Sequence, residues 1–125
     1  MGDLYLDKLS ATNANWLSVR QSLISSNVAN ANTYGYKALD VKAMDDSSSP
    51  FRTMMQTHSN HVQTGIQNSA GVGIEEDVTW EITHSGNTVS LPQEMVKAGE
   101  VANGYQLNTS VMKSFHRMVL TVFGT

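Results

Sequence analysis

The chain has 125 residues, of which 40% are hydrophobic and only 15% are charged, and its formal net charge at pH 7 is −3. This length predicts a single domain, and the acidic balance argues against a nucleic-acid-binding protein, which would normally carry a basic face. The absence of cysteine excludes a disulfide framework and thiolate chemistry. No run of about 18 apolar residues is present, so we expect no membrane span. The sequence MGDLYLDKLS also lacks the apolar region of a cleaved secretory signal.

The segment from Asp3 to Ala31 has the periodicity of a helix. Its side chains recur at alternating spacings of four and three residues, the heptad-like pattern of a helix that packs against another helix. The residues of this seam are Tyr5, Leu9, Thr12, Trp16, Val19, Leu23, Ser26 and Asn30. A neighbouring face carries Leu17, Ile24 and Val28. We therefore predict an N-terminal helix within residues 1–34 that packs through the first of these stripes.

The first helix should weaken and end near Asn32. Asn27, Asn30 and Asn32 are poor helix formers, because their amides compete for local backbone hydrogen bonds. Gly35 follows them and can adopt the positive φ that is common just after a helix. The sequence thus predicts a helix end and a turn in this stretch.

Residues 35–89 form a middle segment in which the pattern changes. The loop-like sequence DDSSSP precedes a short helical candidate, Phe51–Thr57. From Val72 to Thr83 apolar and polar residues alternate, which indicates a strand or a hairpin that turns at Ser85-Gly86-Asn87. One hairpin cannot bury its own apolar face. The middle segment must therefore pack against the helices or be completed by another chain.

The sequence of residues 90–125 predicts a second long helix. Ser90 and Gln93 have the spacing of a capping box, in which each side chain bonds the other residue's backbone N–H. The seam of this helix consists of Leu91, Met95, Ala98, Ala102, Tyr105, Thr109, Met112, His116, Val119 and Phe123. Gly99 and Gly104 should each cost about 1 kcal/mol relative to alanine, so packing must stabilise the helix. The predicted fold class is mainly α, with long N- and C-terminal helices paired as a coiled coil and a small irregular or β-hairpin middle segment.

The residues that could support chemistry do not form a recognisable site. His58 and His61 have the spacing of two metal ligands on one helical turn, but a zinc site needs three or four ligands and no third donor is near in sequence. The carboxylates at Glu75, Glu76 and Asp77 fit the solvated side of a strand better than an acid–base pair. The sequence has neither a nucleophile elbow nor a phosphate-binding glycine loop. We therefore expect no enzyme, and no catalytic, metal or cofactor site.

The stretch SNVANANTYGYKA, residues 26–38, resembles the N-terminal signature of the rod and hook proteins of the bacterial flagellum. In that family a helix end with Asn-x-x-Asn is followed by Thr-Pro-Gly-Tyr-Lys. The matching residues are Asn27, Asn30, Asn32, Thr33, Gly35, Tyr36 and Lys37. Tyr34 stands in place of the family's proline, which removes a rigid turn residue just before the glycine.

The stretch GNTVSLPQEM, residues 86–95, narrows the resemblance to the short proximal rod proteins of the flagellar basal body. The resemblance implies a structural subunit that polymerises through its terminal helices and is required for motility. It also implies export by the flagellar type III apparatus, without a cleaved signal, to the rod in the periplasmic space. The implied partners are copies of itself, other rod proteins, the membrane ring or hook-basal-body adapter, and the export gate. We expect no nucleic acid and no small-molecule substrate.

The apolar residues of both helices are then expected to form contacts between subunits. The predicted assembly interface consists of Leu9, Trp16, Val19, Leu23, Met95, Ala98, Ala102, Tyr105, Met112 and Val119. Two alternatives remain open. One is another of the short axial rod proteins. The other, from a different class, is a small helical export adapter or chaperone that folds on its own.

Overall fold

The computed structural model describes residues 2–44 and 72–124, with side chains in the first helix described from Tyr5 onward. Its elements are helix α1 (Gly2–Ala29), strand β1 (Leu39–Val41), strand β2 (Ile74–Glu76) and helix α2 (Leu91–Val122). Two long helices therefore flank a small antiparallel pair of strands, which confirms the predicted fold class. The short helix predicted at Phe51–Thr57 lies outside the described residues. The division of the chain at residues 34 and 89 stays a prediction.

The two helices pack side by side and run in opposite directions. Ser10 of α1 bonds Asn108 of α2, with 3.0 Å between its Oγ and the Asn108 Oδ1. Further along α1, Arg20 reaches Glu100 at 2.9 Å. The partner's residue number falls as the number in α1 rises, so the pair is antiparallel. No helix within the described residues combines the length and apolarity needed to cross a bilayer.

The apolar core between the helices is small. Leu17, Ile24 and Val101 are buried in it, and Trp16 and Ala98 pack against it. Gly104 lies directly under Leu17: a Cβ added at residue 104 would be 2.9 Å from Leu17 Cδ2 and 3.2 Å from its Cδ1. Gly104 therefore permits a close approach of the two helices, whereas the sequence pattern had suggested only a weak point in α2.

The seam that joins the helices is not the stripe that the sequence pattern favoured. It uses the neighbouring face of α1, and six of the ten positions of this seam are polar. On α1 it consists of Ser10, Leu17, Arg20, Ile24 and Asn27, and on α2 of Glu94, Lys97, Val101, Gly104 and Asn108. These residues keep the heptad spacing of seven, three or four. The expectation failed because hydrophobic periodicity does not detect a seam built from charges and amides.

The two strands pair residues that are distant in sequence. Leu39 lies opposite Glu76, Asp40 opposite Glu75 and Val41 opposite Ile74. The backbone bonds Lys42 N to Gly73 O (2.8 Å) and Asp77 N to Ala38 O (2.9 Å) continue the ladder. The strand predicted from Val72 to Thr83 therefore ends at Glu76, and its partner is residues 39–41. Beyond Glu76 the side chain of Asp77 pairs with Lys97, and the Thr79 Oγ1 donates to Thr88 O.

Candidate functional site at the helix junction

The end of α1, residues 35–41, residues 77–90 and the first turns of α2 meet in one region, which we call the junction. It contains most of the asparagine and glycine motif singled out in the sequence. It also contains the buried charges of the molecule within the described residues. The geometry of the junction determines how the chain leaves α1 and how it enters α2.

Asn27 connects the last turn of α1 to strand β1. Its side chain is fully buried. The Asn27 Nδ2 donates to Leu39 O at 2.8 Å, and the Asn27 Oδ1 accepts from Leu39 N at 3.1 Å. Tyr36 OH also donates to this oxygen at 3.4 Å. The amide thus replaces a neighbouring strand as hydrogen-bond partner of Leu39, which fixes the angle between helix and strand.

The helix ends at Ala29, three residues before the predicted position. The backbone N–H of Asn30 is shared between the carbonyls of Ser26 and Asn27, both at 3.1 Å, and Ala31 N bonds Val28 O at 3.2 Å. These shorter-range bonds tighten the last turn. The Asn30 Nδ2 donates back to Ser26 O at 2.8 Å. The local competition expected of the asparagines therefore occurs, and it ends the helix.

Asn87 holds the turn that follows α1, almost sixty residues earlier in sequence. Its buried Nδ2 lies 2.9 Å from Asn30 O, 3.0 Å from Ala31 O and 2.7 Å from Thr33 O. Its Oδ1 accepts from Val89 N at 2.8 Å. These carbonyls belong to the turn that follows Ala29, the last residue of α1. Asn87 satisfies them and at the same time ties the segment before α2 to the end of α1.

The family motif crosses the junction next to Asn87. Gly35 has φ +67°, the left-handed conformation expected of it, and its N–H donates to Ser85 O at 3.1 Å. Thr88 N donates to Tyr36 O at 3.0 Å, and the Lys37 Nζ donates to Gly86 O at 3.3 Å. Gly86 also has positive φ, +79°, in the turn that the sequence predicted there. Two turns thus lie against each other, and each needs a glycine.

The capping box predicted at the start of α2 does not form. Ser90 occupies the N-cap position, but its side chain makes no capping bond. The Gln93 amide is instead occupied by the loop after β2, since its Nε2 donates to Val78 O at 2.7 Å and to Asp77 Oδ2 at 3.0 Å. Its Oε1 accepts from Trp80 N at 3.0 Å. Gln93 therefore fixes residues 77–80 against the first turn of α2.

A cluster of charges holds the elements of the junction together. Lys97 pairs with Asp77 and, at 3.2 Å, with Asp40. Arg20 binds the same Asp40 carboxylate through its Nε at 3.2 Å and through its second Nη at 3.3 Å. The Arg20 guanidinium also lies over the Trp16 ring, 5.5 Å from its centroid. Because these groups come from α1, β1, the loop and α2, the cluster fixes all four relative to one another.

Burial and charge partners shift the pKa values in this cluster. Burial alone would raise the pKa of Asp40, but hydrogen bonds from Arg20, the Val41 N–H and Lys97 lower it overall. Glu94 differs: it is only 1% exposed, and neither of its carboxylate oxygens has a hydrogen-bond partner among the described residues. Burial is the main reason that the pKa of Glu94 is raised, and the Asn27 amide and the Lys97 charge offset only part of that effect.

The polar groups of the junction serve to hold its elements together. Every cation in the cluster is bound to a carboxylate, and the described residues contain no group of three or more side chains suited to a metal ion. His58 and His61 lie outside the described residues. Glu75 and Glu76 are exposed on β2, while Asp77 is part of the charge cluster.

Comparison with known proteins identifies the family. A family model described as "Flagella basal body rod protein" matches residues 9–37, which contain most of α1 and the motif at its end. The chain is also 39% identical over 132 residues to the flagellar basal body rod protein FlgB of Agrobacterium fabrum. That alignment covers 96% of this chain and 93% of that protein. The chain belongs to the FlgB family of flagellar basal body rod proteins.

Two further FlgB proteins align over most of the chain. The FlgB of Buchnera aphidicola is 26% identical over 106 residues, which cover 80% of each chain. The FlgB of Salmonella typhimurium is 27% identical over 107 residues, covering 76% of this chain and 75% of that protein. FlgB-family membership makes this chain a structural subunit of the proximal rod. No comparison favours another short axial protein or an export adapter.

The residues predicted as an assembly interface lie at several positions around the helix pair of this FlgB-family chain, and the Tyr105 hydroxyl is 3.5 Å from Ala14 O of α1. Only Trp16 and Ala98 pack against its core. The exposed members of the set are Leu9, Met95, Ala102 and Tyr105, and the partly buried ones are Val19, Leu23, Met112 and Val119. Their role between subunits remains a prediction.

Sequence reasoning missed the polar residues that hold the junction together. Asn87 was assigned only to a turn, and Arg20, Asp40, Glu94 and Lys97 were not singled out. A signal was present for two of them, because Glu94 and Lys97 lie at heptad spacing from Val101 and Asn108. For Asp40 and Asn87 the neighbouring sequence contains no such pattern, since their hydrogen-bond partners are distant in sequence.

Proposed function

We propose that this FlgB-family chain polymerises into the proximal rod through its two terminal helices. The contacts with neighbouring subunits use the apolar side chains that the antiparallel pair leaves exposed. The partners are copies of the same chain, other rod proteins, and the membrane ring or hook-basal-body adapter and export gate at the base of the rod. The chain reaches this position through the flagellar type III apparatus, without a cleaved signal peptide.

The observation that carries this proposal is the exposed apolar surface along both helices. Met95 is 76% exposed in the first turns of α2. Further exposed apolar residues follow along the pair, namely Tyr5, Leu9, Leu107, Met118, Val122 and Phe123. Large apolar patches on a soluble chain mark sites of interaction with other proteins. Full burial of one such side chain stabilises by about 1.5–3 kcal/mol, so a few of them suffice to hold a subunit in a polymer.

The polar seam supports the same proposal. The pairing of α1 and α2 relies on amides and charges, which are directional and therefore fix one register. The apolar stripes beside the seam remain available for other chains. A subunit of this kind can keep one internal arrangement before and after assembly, and its neighbours bury the rest.

The experiment substitutes exposed apolar residues of the predicted interface with glutamate and measures incorporation into basal bodies. Leu9→Glu and Met95→Glu are expressed in a strain that lacks its own FlgB, with Ser18→Glu and Gln106→Glu as matched controls. All four positions are exposed, so each variant adds the same charge to the surface of a helix. We expect motility and incorporation to fall sharply for the first two variants only.

Two further measurements make the result decisive. The exported amount of each variant must be determined, because a variant that is not exported would also be missing from the basal body. Its absence would then say nothing about the contacts between subunits. Removal of residues 116–125 should abolish incorporation. Motile cells that incorporate the Leu9→Glu and Met95→Glu variants as well as the controls would contradict the proposed contacts.

A further inference from the structure

The loop after β2 presents apolar side chains to solvent in a fixed arrangement. Val78 is 84% exposed, Trp80 66% and Ile82 67%, and all three alternate with residues whose side chains point inward or along the surface. Glu75, Glu76 and Glu81 are exposed beside them. We call these six residues the acidic ridge. Among the described residues none of its three carboxylates takes part in an ion pair.

The ridge is held in place from behind. The Gln93 amide bonds the backbone of Val78 and Trp80, and the Thr79 Oγ1 donates to Thr88 O at 2.6 Å. Asp77 is paired with Lys97 of α2. Since its inward groups are bonded, the segment cannot turn its apolar side chains into the molecule without losing them. The arrangement therefore keeps these side chains exposed on the surface.

The other end of the molecule carries the opposite charge. From Val101 to Thr125 the sequence contains no Asp or Glu, whereas Lys113 and Arg117 are exposed on α2. Exposed apolar residues lie next to them. We call the group of Lys113, Arg117, Met118, Val122 and Phe123 the basic tip. On the facing part of α1 described here, the exposed charges of Asp7 and Lys8 cancel each other.

The ridge and the tip of one chain cannot contact each other. Gln93 fixes the ridge at the first turn of α2, and Val122 is the last residue of that 32-residue helix. At a rise of about 1.5 Å per residue, the helical residues of the tip lie about 30–45 Å along α2 from Gln93. Complementary surfaces at opposite ends of one subunit suit a head-to-tail contact between two copies.

We propose that the acidic ridge of one subunit receives the basic tip of a second copy of this chain. The apolar side chains of the tip cover Trp80 and its neighbours, and Lys113 and Arg117 pair with the ridge carboxylates at the rim. Electrostatic complementarity of this kind selects the partner and the register, while the apolar contact supplies most of the affinity. This inference rests on the proposed function, because it specifies one of the contacts by which the chain polymerises.

A charge-reversal experiment tests the contact. The ridge variant carries Glu75→Lys, Glu76→Lys and Glu81→Lys, and the tip variant carries Lys113→Glu and Arg117→Glu. Each is expressed as the full chain in a strain without its own FlgB, and the amount in isolated basal bodies is compared with the exported amount. Each variant alone should be incorporated about tenfold less than the unchanged chain, because like charges then face each other. The chain that carries both sets of substitutions should be incorporated at a level within about threefold of that of the unchanged chain.

A cross-linking experiment identifies the occupant of the ridge. The chain has no cysteine of its own, so Ile82→Cys and Met118→Cys copies can be expressed together and treated with a short bismaleimide. A dimer that joins residue 82 to residue 118 supports the proposal. Gln106→Cys, exposed on the same helix, replaces Met118→Cys in the control and should give no such dimer with the Ile82→Cys copy.

The outcomes separate the failure of this inference from the failure of the proposed function. If the unchanged chain is absent from basal bodies, the proposed polymerisation is wrong, and the inference with it. If the unchanged chain is incorporated but the chain with both sets of reversals is incorporated no better than either single variant, the proposed ridge-to-tip contact is wrong. A cross-link from residue 82 to a different rod protein, without the 82–118 dimer, would likewise overturn it.

Discussion

Alanine substitution of two glycines of α2 tests how closely the helices approach each other. Both Gly99→Ala and Gly104→Ala should gain about 1 kcal/mol of helix propensity. At Gly99 an added Cβ has no atom within 4 Å, so the gain is expected in full. At Gly104 the Cβ would lie 2.9 Å from Leu17 Cδ2 and 3.2 Å from Cδ1. Overpacking of this kind costs about 1–3 kcal/mol.

Comparison of the two variants isolates the steric cost, because the gain in propensity is common to both. The free energy of unfolding of Gly104→Ala should therefore be about 1–3 kcal/mol lower than that of Gly99→Ala. Urea unfolding of the full chain, followed by circular dichroism at 222 nm, measures the difference. In a Leu17→Ala background the clash is removed, and Gly104→Ala should then stabilise as Gly99→Ala does. Equal stability of the two single variants in the native background would refute the close packing of Leu17 on Gly104.

Three further substitutions test the junction by the same unfolding measurement. Asn87→Ala should lower the free energy of unfolding by about 2 kcal/mol, because three carbonyls of the turn after α1 lose the donor that Asn87 supplies. Asn103→Ala, at an exposed position, should have little effect, and equal losses would count against the contribution of the Asn87 bonds. Asp40→Asn should destabilise by about 1.5–3 kcal/mol at pH 7. Since the folded pKa of Asp40 is lowered, the stability from its charge is present above the unfolded pKa and lost as the pH falls through the folded pKa, so the deficit should shrink in acid. The pKa of Glu94 is raised, so the stability linked to its protonated form is present below the unfolded pKa and is lost as the pH rises through the folded pKa. Glu94→Gln should therefore become more stable relative to the wild type as the pH rises from 4 to 8. A difference in stability that stays constant with pH would contradict the raised pKa.

The elements that depend on local sequence could be predicted. Both long helices are present, and Gly35 has the positive φ expected at the end of the first. The turn around Gly86 is also found where the sequence placed it. Helix ends and tight turns are determined by a few adjacent residues, so a single sequence contains the information needed.

The contacts between distant segments could not be predicted in the same way. The partner of β2 is a three-residue strand more than thirty positions earlier, which is too short to show a period of its own. Asn87 bonds carbonyls of the turn that follows α1. Such polar bonds depend on the whole fold, and no local spacing in the sequence indicates them.

The prediction of the helix seam was wrong for the same reason, because the seam depends on polar contacts between distant segments. The same contacts explain why apolar side chains are exposed on the surface of the molecule. The pattern assigned the most apolar stripe of α1 to the contact with α2. In the structure Arg20 binds Glu100 of α2 and Asn27 is buried against β1, while Leu9 is exposed. The alternation after β2 is inverted in the same way: Asp77 and Thr79 point inward, and Trp80 and Ile82 face solvent. In a chain that stays a monomer, the apolar side would be buried, because water penalises its exposure. Polar groups therefore fix the internal arrangement of this chain, and its exposed apolar side chains are the ones that we propose make the contacts between subunits of the rod.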